Sequence, residues 1–206
     1  MALGDRYATD VFVNCPFDDK YRATFAAIVF SIFDCGFRPR CALELDDSGE
    51  VRIEKLFRII ESCRFGIHDL TRTELDAANR MPRFNMPLEL GLFLAAQRFG
   101  DSKQKRKRCL ILDREPYRYQ KFISDIAGQD IQPHGNSAKQ AIRRVRDWLH
   151  NHSSRETIPS GIVIHERYTT FQRELPRLCK ELRLHPKELT YKDYGTIVSK
   201  WLLLNA

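Results

Sequence analysis

No apolar run in this chain approaches the ~20 residues that a bilayer-spanning helix needs. The longest, such as Phe25–Phe33 (FAAIVFSIF), stop far short of it. No basic segment followed by an apolar core opens the sequence, so there is no visible secretory leader. The expectation is a cytoplasmic protein with no membrane partner. Cysteine pairs are missing too: Cys15, Cys35, Cys41, Cys63, Cys109 and Cys179 are scattered, with no C-x-x-C and no close histidine. That spacing argues against a zinc site and against a disulfide framework. The cysteines are expected to be small buried hydrophobes, with Cys15 set apart because it ends a strand beside the candidate site.

The phosphate-cradling glycine patterns are also absent. Neither G-x-G-x-x-G nor G-x-x-x-x-G-K-[ST] occurs, and neither does a G-x-S-x-G elbow or H-E-x-x-H. The six histidines are too dispersed for a metal site. Any nucleotide would be held by acids, amides and arginines.

What is present suits a globular α/β protein. Apolar residues make up 43% and charged residues 30% of 206 positions, enough for one large domain or a domain with a small appendage. Charge is uneven: residues 1–100 hold 13 Lys/Arg against 15 Asp/Glu, and residues 101–206 hold 21 against 12. A basic second half can be an electrostatic footprint for nucleic acid. The plainer reading, a solvated surface with a basic loop at Lys103–Arg108 (KQKRKR), is favoured because no aromatic residues interleave the basic ones.

Strand and helix patterns alternate over the first 150 residues. Strands are expected at Asp10–Cys15, Phe37–Leu45, Arg64–Leu70, Arg108–Asp113 and, shorter, Asp130–His134. Helices are expected at 19–35, Val51–Cys63, Arg83–Ala96 (closed by Gly100) and Ser137–His150. Alternation of this kind predicts βαβ units. The fold class is therefore α/β, a doubly wound parallel sheet of about five strands within residues 1–152. Asn151–Gly161 reads as a linker. Residues 153–206 read as a helical C-terminal extension whose Trp201–Leu204 (WLLL) packs on the first domain or on a second subunit.

In such sheets ligands bind beyond the carboxyl ends of the strands. That rule selects Asn14–Asp19 (NCPFDD), Glu44–Gly49, His68–Thr73 and Asp113–Tyr119, with a polar loop holding Arg72, Glu74, Asp76, Asn79 and Arg80. Asn14, Asp18 and Asp19 can bind ribose hydroxyls and Phe17 can stack on a base, although turn and capping chemistry explains the same acids. Asp69 has the same two readings, and Asp113 and Arg114 end the fourth strand, where Arg114 can meet a phosphate. Glu89 stands out. From Met86 to Ala96 it is the single residue that is not apolar, Pro or Gly. With Asn85 as N-cap and Pro87 in the first turn, Glu89 falls about one turn into a helix apolar on nearly all sides. Such a helix is expected to be buried, with Gly91 giving room and Glu89 facing the interior or a cleft. Burial raises a carboxyl pKa while a helix N-terminus lowers it, and the plain alternative is a first-turn acid complementing the helix dipole.

The turn DVFVNCPFDD, the strand RFGIHDL and the helix opening N-x-P-L-E-L-G-x-F together resemble TIR-like domains, best their bacterial branch, over about residues 8–115. The layout is also similar to nucleoside 2-deoxyribosyltransferases. The resemblance implies a flavodoxin-like sheet and chemistry at the N-glycosidic bond between a ribose C1′ and a base. Glu89 would be the nucleophile or oxocarbenium stabiliser. Asn14, Pro16, Phe17, Asp18 and Asp19 would line the nucleotide pocket, Arg83 and Asn85 would flank the acid, and Asp69 would contact ribose. Leu88 stands where the family usually has an aromatic residue. The implied function is an NAD(+) nucleosidase acting as a homo-oligomer in bacterial antiviral defence or signalling. No cofactor is implied, since NAD or a related nucleotide enters as substrate or ligand. The alternatives are a non-catalytic nucleotide sensor or interaction module, and deoxyribosyltransferase-like base exchange.

Overall fold

The computed structural model describes residues 6–44, 49–74 and 83–205. The expected loop residues Asp46, Asp47, Ser48, Asp76, Asn79 and Arg80 lie outside these.

Five strands form one all-parallel sheet: β1 (Asp10–Asn14), β2 (Arg38–Arg40), β3 (Phe65–Asp69), β4 (Arg108–Asp113) and β5 (Gln132–Pro133), in the order β2-β1-β3-β4-β5. This is the flavodoxin-like arrangement, whose strand order reverses at the crevice between β1 and β3. Helices α1 (Arg22–Asp34) and α4 (Ala138–His152) cover one face, and α2 (Arg52–Ser62) and α3 (Asn85–Phe99) the other. Both β1 and β3 are buried along their whole length, as a sheet covered on two faces requires.

β2 is shorter than its sequence run. The Cys41 N–H donates to the Glu44 carboxylate at 2.8 Å and Arg40 pairs with the same group at 2.6 Å, which turns the chain into a short 3-10 helix at Ala42–Glu44. β5 contracts to two residues.

Helices α5 (Gly161–Glu181) and α6 (Tyr191–Leu204) pack over α1 rather than standing apart. Phe30 of α1 lies with its ring centroid 5.3 Å from Phe171 and 5.9 Å from Trp201. Arg167 pairs with Asp34 at 3.2 Å. The C-terminal helices thus extend the core of the sheet's first face. The WLLL tail divides: Trp201 is buried and donates to Glu174 at 2.9 Å, whereas Leu203 and Leu204 are exposed.

This arrangement corrects the expectation that α3 is buried all round. α1 lies between the sheet and α5–α6, so its apolar run is enclosed on both sides. Nothing in the described residues covers α3 in that way. Only Met86, Glu89, Leu90 and Phe93 of α3 are buried, while Phe84, Leu88 and Phe99 are 67%, 55% and 83% exposed. Gly91 faces open space. The basic run also departs from a solvated loop, because Lys107 is fully buried and its ammonium donates to the carbonyls of Ile60 and Cys63 at the end of α2. Burial lowers its pKa to about 8.

Candidate functional site

Parallel pairing brings the ends of β1, β3 and β4 to one edge, and the pleat then divides their side chains. Asn14 is level with His68 in the β1–β3 register. Because successive strand residues point to opposite faces, Asn14 and His68 face α3, whereas Asp69 faces α1.

On the α3 side, Asn14 is a tie. Its Nδ2 donates to the Met86 carbonyl at 2.8 Å and reaches His68 Nδ1 at 3.0 Å, which fixes the first turn of α3 above the β1–β3 crevice. His68 accepts at Nδ1, so its proton sits on Nε2, which has no hydrogen-bond partner among the described residues. Its ring lies 5.0 Å from Phe93 and 5.6 Å from Phe12, edge to face. Burial and the nearby Lys107 charge lower its pKa to about 3. Asn14→Ala removes the tie to the Met86 carbonyl and leaves His68 Nδ1 without its donor. Loss of about 1–3 kcal/mol of stability is expected, measured as a lower urea midpoint.

Glu89 lies on the same side, 5% exposed. Asn85 is the first helical residue and not the cap, because the Phe84 carbonyl already accepts the Leu88 N–H at 2.9 Å. Glu89 is thus the fifth residue of α3, beyond the strongest influence of the helix terminus. Burial wins over the charge of Arg52 and raises its pKa to about 7. Among the described residues no side chain or backbone group hydrogen-bonds to its carboxyl. Cys15 sits within electrostatic reach of Asp69, Glu89 and Asp18; burial first, then these acids, push its thiol well up. It is an inert thiol, not a nucleophile.

On the α1 side, Asp69 is the hub of a buried network. It accepts from the Thr71 N–H at 2.8 Å, from His134 Nε2 at 2.9 Å and from the Tyr21 hydroxyl. His134 Nδ1 in turn accepts the Asn136 N–H at 3.1 Å, which assigns the ring proton to Nε2. Burial pushes the Asp69 carboxyl up, yet the bonds from His134, Thr71 and Tyr21 outweigh it and hold it below the usual range. Asp113 is equally enclosed: Arg118 donates to it at 2.9 Å and also binds Thr73 and the Leu70 carbonyl. Arg114 is engaged by Glu74 and Glu115.

Asp18 closes the β1–α1 turn by accepting the N–H groups of Lys20 and Tyr21, and it binds Arg72 at 3.1 Å and Arg83 at 3.4 Å. Asp19 pairs with Arg22 at the surface. Pro16, Phe17, Asp18 and Asp19 line a cavity of about 670 Å³ whose opposite wall comes from α5 and α6. Glu89, Asn14 and Asp69 are not among its lining residues. Phe17 thus lines this cavity, to which Glu89 does not contribute.

Tyr21 and His134 lie outside the segments that the strand-end rule selects, and His68, Arg72 and Arg118 lie within them without an individual role assigned from sequence. The dipeptide His68–Asp69 at a strand end carried a usable signal, since adjacent polar residues in a buried strand must point to opposite faces and each needs a partner.

The fold and this edge together define a flavodoxin-like α/β protein with a buried acid, lacking a hydrogen-bond partner among the described residues, beside the strand-order reversal. Compared with protein-family models, curated proteins and solved structures, the chain matches none. Among the described residues no helix is long and apolar enough to cross a membrane, and no cluster of metal-ligating side chains forms.

Proposed function

We propose that the chain is a TIR-like NAD(+) nucleosidase in which Glu89 is the catalytic acid group. The observation behind this reading is a carboxyl that is buried, lacks a hydrogen-bonding partner among the described residues and lies beside the crevice where such sheets bind ligands. A buried carboxyl of raised pKa with no structural bond to make is the kind of group that sites use for chemistry. The nicotinamide ring of NAD is cationic, and its approach favours the ionised carboxylate. As the C1′–nitrogen bond breaks, the electron pair leaves with neutral nicotinamide and positive charge collects on the ribose. Glu89 stabilises that charge in a poorly hydrated site. Water then adds to C1′, giving ADP-ribose and a proton. Purified protein incubated with NAD is expected to release nicotinamide, measured by chromatography.

Non-catalytic nucleotide binding is the second reading. No turnover of NAD or any nucleoside by concentrated protein would select it.

Self-association belongs to the same proposal. Phe84, which precedes α3, and Leu88 and Phe99 on it are exposed large apolar side chains, a group that can serve as an interaction surface. Leu88→Asp is expected to shift the protein from a dimer or larger species to a monomer in analytical ultracentrifugation. A wild-type monomer at all concentrations would remove these residues from this role.

A further inference from the structure

The cavity beside the β1–α1 turn is separate from Glu89, and its walls have a chemistry of their own. Its volume of about 670 Å³ falls within the ~300–1,000 Å³ typical of small-molecule sites. One wall is aromatic: the Phe17 ring meets Phe25 edge-on at 5.3 Å, and Phe25 continues to Tyr191 at 6.1 Å. The tyrosine hydroxyls at this wall are consumed elsewhere. Tyr191 donates to the Pro39 carbonyl at 2.7 Å and Tyr194 to the Ala26 carbonyl at 3.0 Å, so they offer rings rather than polar groups. Pro16, Pro176 and Pro186 line the cavity at three places. Their fixed backbone angles resist collapse, which separates a preorganised pocket from a packing gap.

Charge at the rim narrows the ligand further. Asp18 is saturated by Arg72, Arg83 and two backbone N–H groups, and Asp19 is paired with Arg22. Lys187, also at the rim, has no carboxylate partner among the described residues. An aromatic slot with one uncompensated cation at its mouth is complementary to a planar aromatic molecule carrying a single negative charge.

We propose that the cavity between the β1–α1 turn and helices α5–α6 is a ligand site for a planar aromatic anion, independent of Glu89. The test is titration of the full chain with 8-anilinonaphthalene-1-sulfonate, read by fluorescence, beside its uncharged relative N-phenyl-1-naphthylamine. Both are expected to saturate at one equivalent. Phe17→Ala is expected to weaken both about tenfold, through loss of the stacking ring. Lys187→Glu is expected to weaken the sulfonate about fivefold and leave the neutral probe within about twofold. Both positions are solvent-exposed, so these variants keep the fold, checked by circular dichroism. Leu88→Asp is expected to leave binding unchanged. Binding that does not saturate, that is indifferent to Phe17→Ala, that loses both probes equally in Lys187→Glu, or that disappears with Leu88→Asp overturns the proposal. The last outcome would assign the probe to the exposed apolar residues of α3.

Discussion

Glu89→Gln is expected to abolish nicotinamide release while making the protein more stable above neutral pH. The two effects have one origin. The folded-state pKa of Glu89 is about 7 against an ordinary value of 4.5. Below pH 4.5 the group is protonated in both folded and unfolded chains and contributes no penalty. Between these values folding takes up a proton, so stability falls as pH rises. Above pH 7 the full cost of holding an ionised carboxylate in the interior is present. From the size of the shift that cost is about 3 kcal/mol at pH 8 and under about 1 kcal/mol at pH 5. Glutamine has nearly the same shape and no charge, so the variant should gain about this much in urea unfolding at pH 8 and little at pH 5. Activity moves the other way. Removing one preorganised electrostatic stabiliser lowers turnover by about 10²–10³-fold. A variant with full activity would end the catalytic assignment. A variant less stable than the parent at pH 8 would show that Glu89 has a structural partner after all.

Which parts of the molecule the sequence announces follows from where periodicity reports burial. β4 was legible residue for residue, because RCLILD is a short apolar run bounded by charge. Ser137 was expected to open the α4 segment, and it is the cap of α4, accepting the Gln140 N–H. The sheet as a whole, with helices on both faces, follows from alternation alone. The burial of α3 was misjudged because an apolar helix does not state how many of its sides have neighbours. FAAIVFSIF and MPLELGLFLAA look alike in sequence, yet α5 and α6 settle on the first and leave the second open. The candidate site was read as one edge, and the pleat splits it. Asn14 and Glu89 belong to the α3 face, Asp69 to the α1 face, and Phe17 to a cavity that exists only because the C-terminal helices close it. No local pattern in residues 8–115 could have announced a wall built from residues beyond 160. His134, the partner of Asp69, comes from 65 positions further along the chain, which spacing cannot reveal.

Asp69 provides the opposite case from Glu89, an acid whose removal should unfold the edge. Both oxygens of its carboxylate are engaged, Oδ1 by the Thr71 N–H and Oδ2 by Tyr21 and His134. Asparagine keeps one oxygen for the Thr71 N–H and turns an NH₂ donor toward His134 Nε2, which is itself a donor. The imidazole cannot exchange its tautomer without confronting the Asn136 N–H at 3.1 Å. Two buried donors then face each other where a charge-assisted bond had been. Asp69→Asn is expected to destabilise the fold by about 3–5 kcal/mol at pH 7, a fall of roughly 10 °C in Tm for a chain of this size. The pH signature is the mirror image of that of Glu89. The Asp69 pKa is held below its unfolded value, so its contribution is fully present above the ordinary carboxylate range, near ~4, and is lost as pH falls through the folded value. Parent and Asp69→Asn should therefore converge only in acid, whereas parent and Glu89→Gln diverge as pH rises from about 4.5 and reach their full difference near pH 7. Urea unfolding at several pH values separates the two acids by the sign of the difference. Equal stability of Asp69→Asn and parent at pH 7 would free Asp69 from the network and return it to the ribose-binding role that its place at the end of β3 first suggested.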